Sequence, residues 1–161
     1  MVTSAKQSRL ISLIGTFSVM LVVIGFAIGG CSSANVGNFM ERFLWRERVV
    51  LVFAPTSDHA DLIRQKDAFN AAAVKDGLKE RDIRVITLID RDGVWIDEAN
   101  VPRLFPVPFY KHFKVDDGAF SVILVGKDGG EKMRSAVVVT PELLFSLIDA
   151  MPMGEAKPHA R

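Results

Sequence analysis

Val49 to Ala54 is an unbroken apolar run, Val-Val-Leu-Val-Phe-Ala, and Pro55 ends it. Six residues without polar alternation describe a strand covered on both faces, which is how the central strands of a mostly parallel sheet read. Pro55 cannot donate to a ladder, and Thr56, Ser57 and Asp58 are each good helix N-caps. A helical pattern then runs from Asp58 to Asp76. Leu62, Ile63, Phe69, Ala72 and Ala73 form its apolar face, Arg64, Gln65, Lys66 and Lys75 lie outside that face, and Gly77 supplies a stop. A buried strand that turns directly into a helix points to a layered α/β architecture.

Ile83 to Asp90 reads as a second strand, so strand, crossover helix and strand make a right-handed parallel unit. Arg91 to Asn100 is expected as a loop turning at Asp92-Gly93, with Trp95 covering a core edge. Pro102, Pro106 and Pro108 exclude a long helix, but Pro108 can open a short one through Phe113. Phe120 to Gly126 is a third strand, Lys127-Asp128-Gly129-Gly130 a hairpin, and Glu131 to Val138 a fourth strand. Thr140-Pro141-Glu142 opens a closing helix through Asp149, with Leu143, Leu144, Leu147 and Ile148 giving it amphipathic spacing. Residues 32–43 read as a tether, small and polar to Asn38, with Phe39 to Trp45 a short helix or lead-in strand. The order is strand–helix–strand–helix–strand–strand–helix, the final pair antiparallel.

The N-terminus is an address. Lys6 and Arg9 precede an apolar stretch from Leu10 to Ile28, and Gly29-Gly30-Cys31-Ser32-Ser33 follows. A positive start, an apolar segment and small residues describe a bacterial secretory signal. The quartet Ile28-Gly29-Gly30-Cys31 resembles the lipobox of bacterial lipoproteins, which makes Cys31 a lipidation site carrying a fatty acyl group such as palmitate. The apolar run is also close to the roughly 20 residues of a membrane-spanning helix, so an uncleaved anchor is the competing reading. Either way, residues 32–161 sit outside the cytoplasm, tethered to a membrane. Ser32 after the cysteine favours the periplasmic face of the outer membrane in a Gram-negative host.

Charge and cysteine usage exclude other classes. The net charge of the 161 residues is +1, and residues 1–31 hold two basic and no acidic side chains, so the remainder is almost neutral. There is no basic run with interleaved aromatics of the kind that binds nucleic acid. One cysteine cannot make an intramolecular disulfide, so this is no stapled secreted scaffold.

Several segments together resemble a known family: Val-Leu-Val-Phe-Ala-Pro (50–55), Glu80-Arg81-Asp82, Val-Ile-Leu-Val-Gly-Lys-Asp-Gly-Gly (122–130), Lys132-Met133-Arg134-Ser135, and the stretch from Leu144 to Met153 ending Met-Pro-Met. They are similar to a thioredoxin-like domain of unknown function found in bacterial envelope proteins and shared with animal extracellular sushi-repeat proteins. The resemblance covers residues 44–153. It implies a thioredoxin-like fold, a central mixed sheet flanked by helices, here preceded by the signal or anchor (1–31) and the tether (32–43) and followed by a flexible tail (154–161). It also implies an extracytoplasmic setting, and no established reaction. Thioredoxin-like redox proteins carry their thiols on the turn after the first strand, where the helix N-terminus lowers a thiol's pKa. Here that turn is Thr56-Ser57-Asp58-His59 and has no cysteine. The proline that such proteins place before the third strand is missing too, Asp116-Asp117-Gly118-Ala119 standing there.

Candidate sites follow. Thr56, Ser57 and Asp58 could form a small-ligand pocket at a helix N-terminus or simply cap the helix. His59 with Asp58 and Asp61 does not make a metal site, because neighbours in one helical turn do not face one way. Lys127, Asp128, Lys132 and Arg134 form the stronger group: Lys132 and Arg134 share a strand face, opposite Met133 and Val137, and could hold a carboxylate, a phosphate or a protein partner. They could equally be the solvated side of an edge strand. Met151 and Met153 with His159 could bind soft copper, against the plainer reading that Met151 seals the last helix. Neither a cofactor nor a catalytic residue is expected. The functional expectation is a thiol-free binding or assembly module of the cell envelope, whose partner is an envelope protein or a small anion. A thiol-independent enzyme using the 56–61 turn with Arg134 is the alternative.

Overall fold

The apolar run becomes strand β1 (Arg48–Ala54), whose side chains from Val49 onward are all buried. In this computed structural model, which describes residues 33–151, β1 lies inside a six-stranded sheet with β2 (Ile83–Ile89), β3 (Gly93–Ile96), β4 (Ala99–Asn100), β5 (Ser121–Val125) and β6 (Glu131–Ser135). The order across the sheet is β4-β3-β2-β1-β5-β6. Only β1 and β2 run parallel; the other neighbouring pairs are antiparallel. The sheet is therefore mixed, and β1 reads as a continuous apolar strand because helices cover both its faces, not because its neighbours are all parallel.

Val50, Val52 and Ala54 face a layer made by α2 (Ala60–Asn70), α3 (Ala72–Glu80) and α5 (Pro141–Asp149). Val49, Leu51 and Phe53 face α1 (Ser33–Met40) and α4 (Val107–Phe113). The period-two alternation of a strand thus feeds two separate cores. Phe53 meets the Tyr110 ring edge-on at 4.9 Å, and Phe39 meets Phe109 likewise at 5.4 Å. The second contact fixes α1 on α4.

Several expectations need correction. The single helix over 58–76 is two, because Ala71 is extended (ψ 137°) and breaks the run between α2 and α3. Gln65 is core, 1 % exposed, whereas Ile63, Ala72 and Ala73 are exposed. Gly77 does not stop a helix. It lies inside α3, where a Cβ would stand 2.8 Å from Phe145 Cε2, so its role is close approach to α5. The 91–100 loop contains β3, β4 and a two-residue turn at Asp97-Glu98, both at positive φ (45° and 72°). Strand β6 ends at Ser135, three residues early, because the Ser135 hydroxyl bonds the Val137 backbone and swings Val137 into solvent. Part of the 32–43 tether is the helix α1, held by burial of Val36 and Phe39. The apolar N-terminal segment, Cys31, and the tail with Met153 and His159 lie outside the described residues.

Candidate functional site

The β1–α2 turn satisfies itself. Residues 56–58 are exposed, and the N-cap is His59, one residue beyond the three expected: its Nδ1 accepts from the Asp61 N–H at 3.3 Å. The Thr56 hydroxyl donates to Asp58 and holds that carboxyl below the usual carboxylate range. The His59 ring stacks on Phe120, centroids 5.8 Å apart and planes 6° from parallel, which joins the turn to the segment entering β5. Beneath it, the Tyr110 hydroxyl donates to the Ala54 carbonyl at 2.8 Å, and burial pushes the phenol up to about 12. Thr56, Ser57 and Asp58 lie exposed on the surface and none of them caps α2, and Met151 packs on the core beside α5.

The β5–β6 hairpin also differs from an open cationic patch. Lys132 Nζ lies 2.6 Å from Asp128 Oδ2, and this donor, with the Gly130 N–H, keeps Asp128 below the usual carboxylate range. Lys127 turns the other way and binds Asp82 at 2.7 Å. Arg134 is gripped by both oxygens of Glu131, at 2.9 and 2.6 Å, and donates to the Phe113 carbonyl at 2.8 Å. Asp128 and Lys132 are therefore brought together, and Lys127 and Arg134 are held in pairs of their own. Each of the three cations has a carboxylate already. No hydrogen bond or ion pair among the described residues joins Arg134 to the 56–61 turn. What the hairpin does present is β6 itself, an edge strand with one side unpaired.

A third region was not legible in the sequence. Helices α2 and α3 cover β1 and β2 but leave a groove of about 500 Å³ beside β3. Val52, Thr87 and Trp95 lie in register across β1, β2 and β3 and form its floor, with Val85, Phe69 and Leu78 around them. Lys66, on α2, and Lys75 and Lys79, on one face of α3, stand at the rim. The only sequence signal was the lysine spacing on helices whose break at Ala71 was not visible. Among the described residues no cluster of three or more histidine, cysteine or acidic side chains is arranged to hold a metal ion.

The family model described as "Domain of unknown function (DUF4174)" matches residues 39–157. Among curated proteins, the chain is 27% identical to zebrafish (Danio rerio) coiled-coil domain-containing protein 80, over 74% of this chain and 15% of that protein. It is 26% identical to the sushi repeat-containing protein SRPX of Rattus norvegicus, over 76% of this chain and 28% of that protein. The chain thus spans less than a third of the curated relatives it matches. Among solved structures it is similar to a reduced 2-Cys peroxiredoxin of Plasmodium vivax, with a TM-score of 0.51, 16% identity, and 69% of this chain and 80% of that one covered. That likeness establishes a thioredoxin-like fold, and the family match with the sushi-repeat relative bears out the part of the resemblance that names a domain of unknown function shared with sushi-repeat proteins.

Proposed function

The chain belongs to the DUF4174 family, a domain of unknown function, and on that premise we propose that it is a thiol-free binding or assembly module, tethered to a membrane on the extracytoplasmic side of a bacterial envelope. One observation carries the reading. The turn on which thioredoxin-like redox proteins hold their thiol is here Thr56-Ser57-Asp58-His59, with no cysteine and with His59 as the helix cap, and the chain's single cysteine, Cys31, precedes the fold. Thiol exchange and cysteine-based peroxide reduction both need a thiolate at the reacting position. A cysteine two residues before α1 suits a lipid attachment point, and Lys6, Arg9 and the apolar segment 10–28 support export and anchoring.

The partner is an envelope protein, not a small anion, at the hairpin surface of Lys127, Asp128, Lys132 and Arg134. An anion there would have to displace Asp128 or Glu131 from the cation it already binds. A protein can instead lie along the open edge of β6 and use the fixed Lys132 and Arg134 heads for orientation. The alternative of an enzyme at 56–61 has no comparable support, since Arg134 is engaged elsewhere.

The test is expression of the full chain in a Gram-negative bacterium with membrane fractionation, metabolic labelling by an alkyne palmitate and mild crosslinking. Wild type is expected to be labelled and membrane-bound and to capture a discrete partner. Cys31→Ser should lose the label, and Lys132→Ala/Arg134→Ala should keep it and lose the partner. A soluble, unlabelled wild-type chain contradicts the tether, and equal capture by the double variant contradicts the β6 surface.

A further inference from the structure

We infer that the groove between the α2–α3 layer and strands β2 and β3 is a binding site for an amphipathic anion, an apolar body carrying one carboxylate or phosphate head. The floor is apolar where the sheet is uncovered. Val52, Thr87 and Trp95 cross three strands in register, and Phe69 and Leu78 close the helix side. At about 500 Å³, the space falls in the range that takes a small organic ligand.

Charge decides the head group. Lys66, Lys75, Lys79 and Arg84 line the groove against two acids, Asp97 and Glu98. Both acids are already engaged: Asp97 pairs with Arg84, which also binds Glu47, and Glu98 lies 3.5 Å from Lys75. Lys66 and Lys79 have no acidic partner among the described residues, one on each helix of the break at Ala71. An uncompensated pair of ammonium groups above an apolar floor favours a ligand that brings its own negative charge and buries its body below it. The contrast with the β5–β6 hairpin is direct, since every cation there is neutralised within the fold.

The site stands apart from β6 and from the tether, so its test is separate. The probe is decanoate bearing a chain-end diazirine, photolysed with the purified full-chain protein, and adducts are mapped by peptide mass spectrometry. The matching decanol diazirine is the neutral control for partitioning. Wild type should be labelled on the groove peptides, at Phe69, Val85 or Trp95, by the carboxylate in preference to the alcohol. In Lys66→Glu/Lys79→Glu, both exposed positions, groove labelling should fall about tenfold, the scale of one charge-assisted hydrogen bond. Val85→Trp, which fills the floor, should abolish it while the thermal midpoint shows the variant folded. An unlabelled groove in wild type, equal labelling by the alcohol, or labelling unchanged in the double glutamate variant would each overturn the inference.

Discussion

The side-chain amide of Gln65 pairs with both backbone groups of Val139, its Nε2 donating to the carbonyl at 2.8 Å and its Oε1 accepting from the N–H at 2.7 Å. All four groups are buried, 74 residues apart in the chain, so a helix side chain supplies what a neighbouring strand would otherwise have given the segment leaving β6. The segment between Ser135 and α5 has no ladder of its own, and Gln65 is what stops it needing one.

Gln65→Leu should therefore cost more than a polar-to-apolar change in a core usually does. It preserves volume but strands a buried N–H and a buried carbonyl, and the expected loss is about 2–4 kcal/mol. Urea denaturation measures it. Near-neutral behaviour would mean that water replaces the amide without penalty.

Gly77→Ala should destabilise although it sits in a helix. Alanine normally gains up to about 1 kcal/mol over glycine there. Here its Cβ would meet the Phe145 ring at 2.8 and 2.9 Å, a ring that also carries the Arg81 guanidinium 4.4 Å from its centroid. Displacing that stack is expected to outweigh the helix gain and leave a net loss of about 1–2 kcal/mol. In a Phe145→Ala background the same substitution should become neutral or favourable, which a double-mutant cycle reads directly.

Tyr110 is the chain's single tyrosine, so tyrosinate absorbance titrates it alone. Burial raises its pKa to about 12 from an ordinary value of 10.0. A raised folded-state pKa means the folded chain holds the proton more tightly. The contribution is complete below pH 10 and is lost as pH rises towards 12, a total of about 3 kcal/mol. Stability measured against pH should fall across that window more steeply in wild type than in Tyr110→Phe, where only the lysine ion pairs are lost. At neutral pH that variant should lose only about 1 kcal/mol, because the Asp90 N–H also serves the Ala54 carbonyl.

What the sequence made legible was whatever depends on local rules. The unbroken run 49–54, the Gly129 turn (φ 79°) and the Thr140 cap, which accepts from the Leu143 N–H at 3.3 Å, all lie where pattern and turn chemistry place them. Features set by a distant partner were not legible. Gln65 reads as a surface residue until Val139 arrives, and Gly77 as a stop until Phe145 does. The Asp97-Glu98 turn lacks the Asn-Gly signature of its type. Its positive φ is supported instead by Val85, which exchanges hydrogen bonds with Asp97, and by the Arg84 ion pair. The groove was invisible for the same reason: it exists because two short helices, not one long one, cover only part of the sheet.

The central claim is that this fold acts by binding, with its cysteine serving only to attach it. The most direct measurement replaces residues 1–31 by an uncleaved, cysteine-free membrane anchor and compares crosslinked partners in the envelope with those of the native chain. The account predicts the same partner captured at the same β6 surface, with no thiol anywhere in the molecule. Loss of that partner from a chain that is folded, anchored and outside the cytoplasm would contradict it, and would return Cys31 to the chemistry.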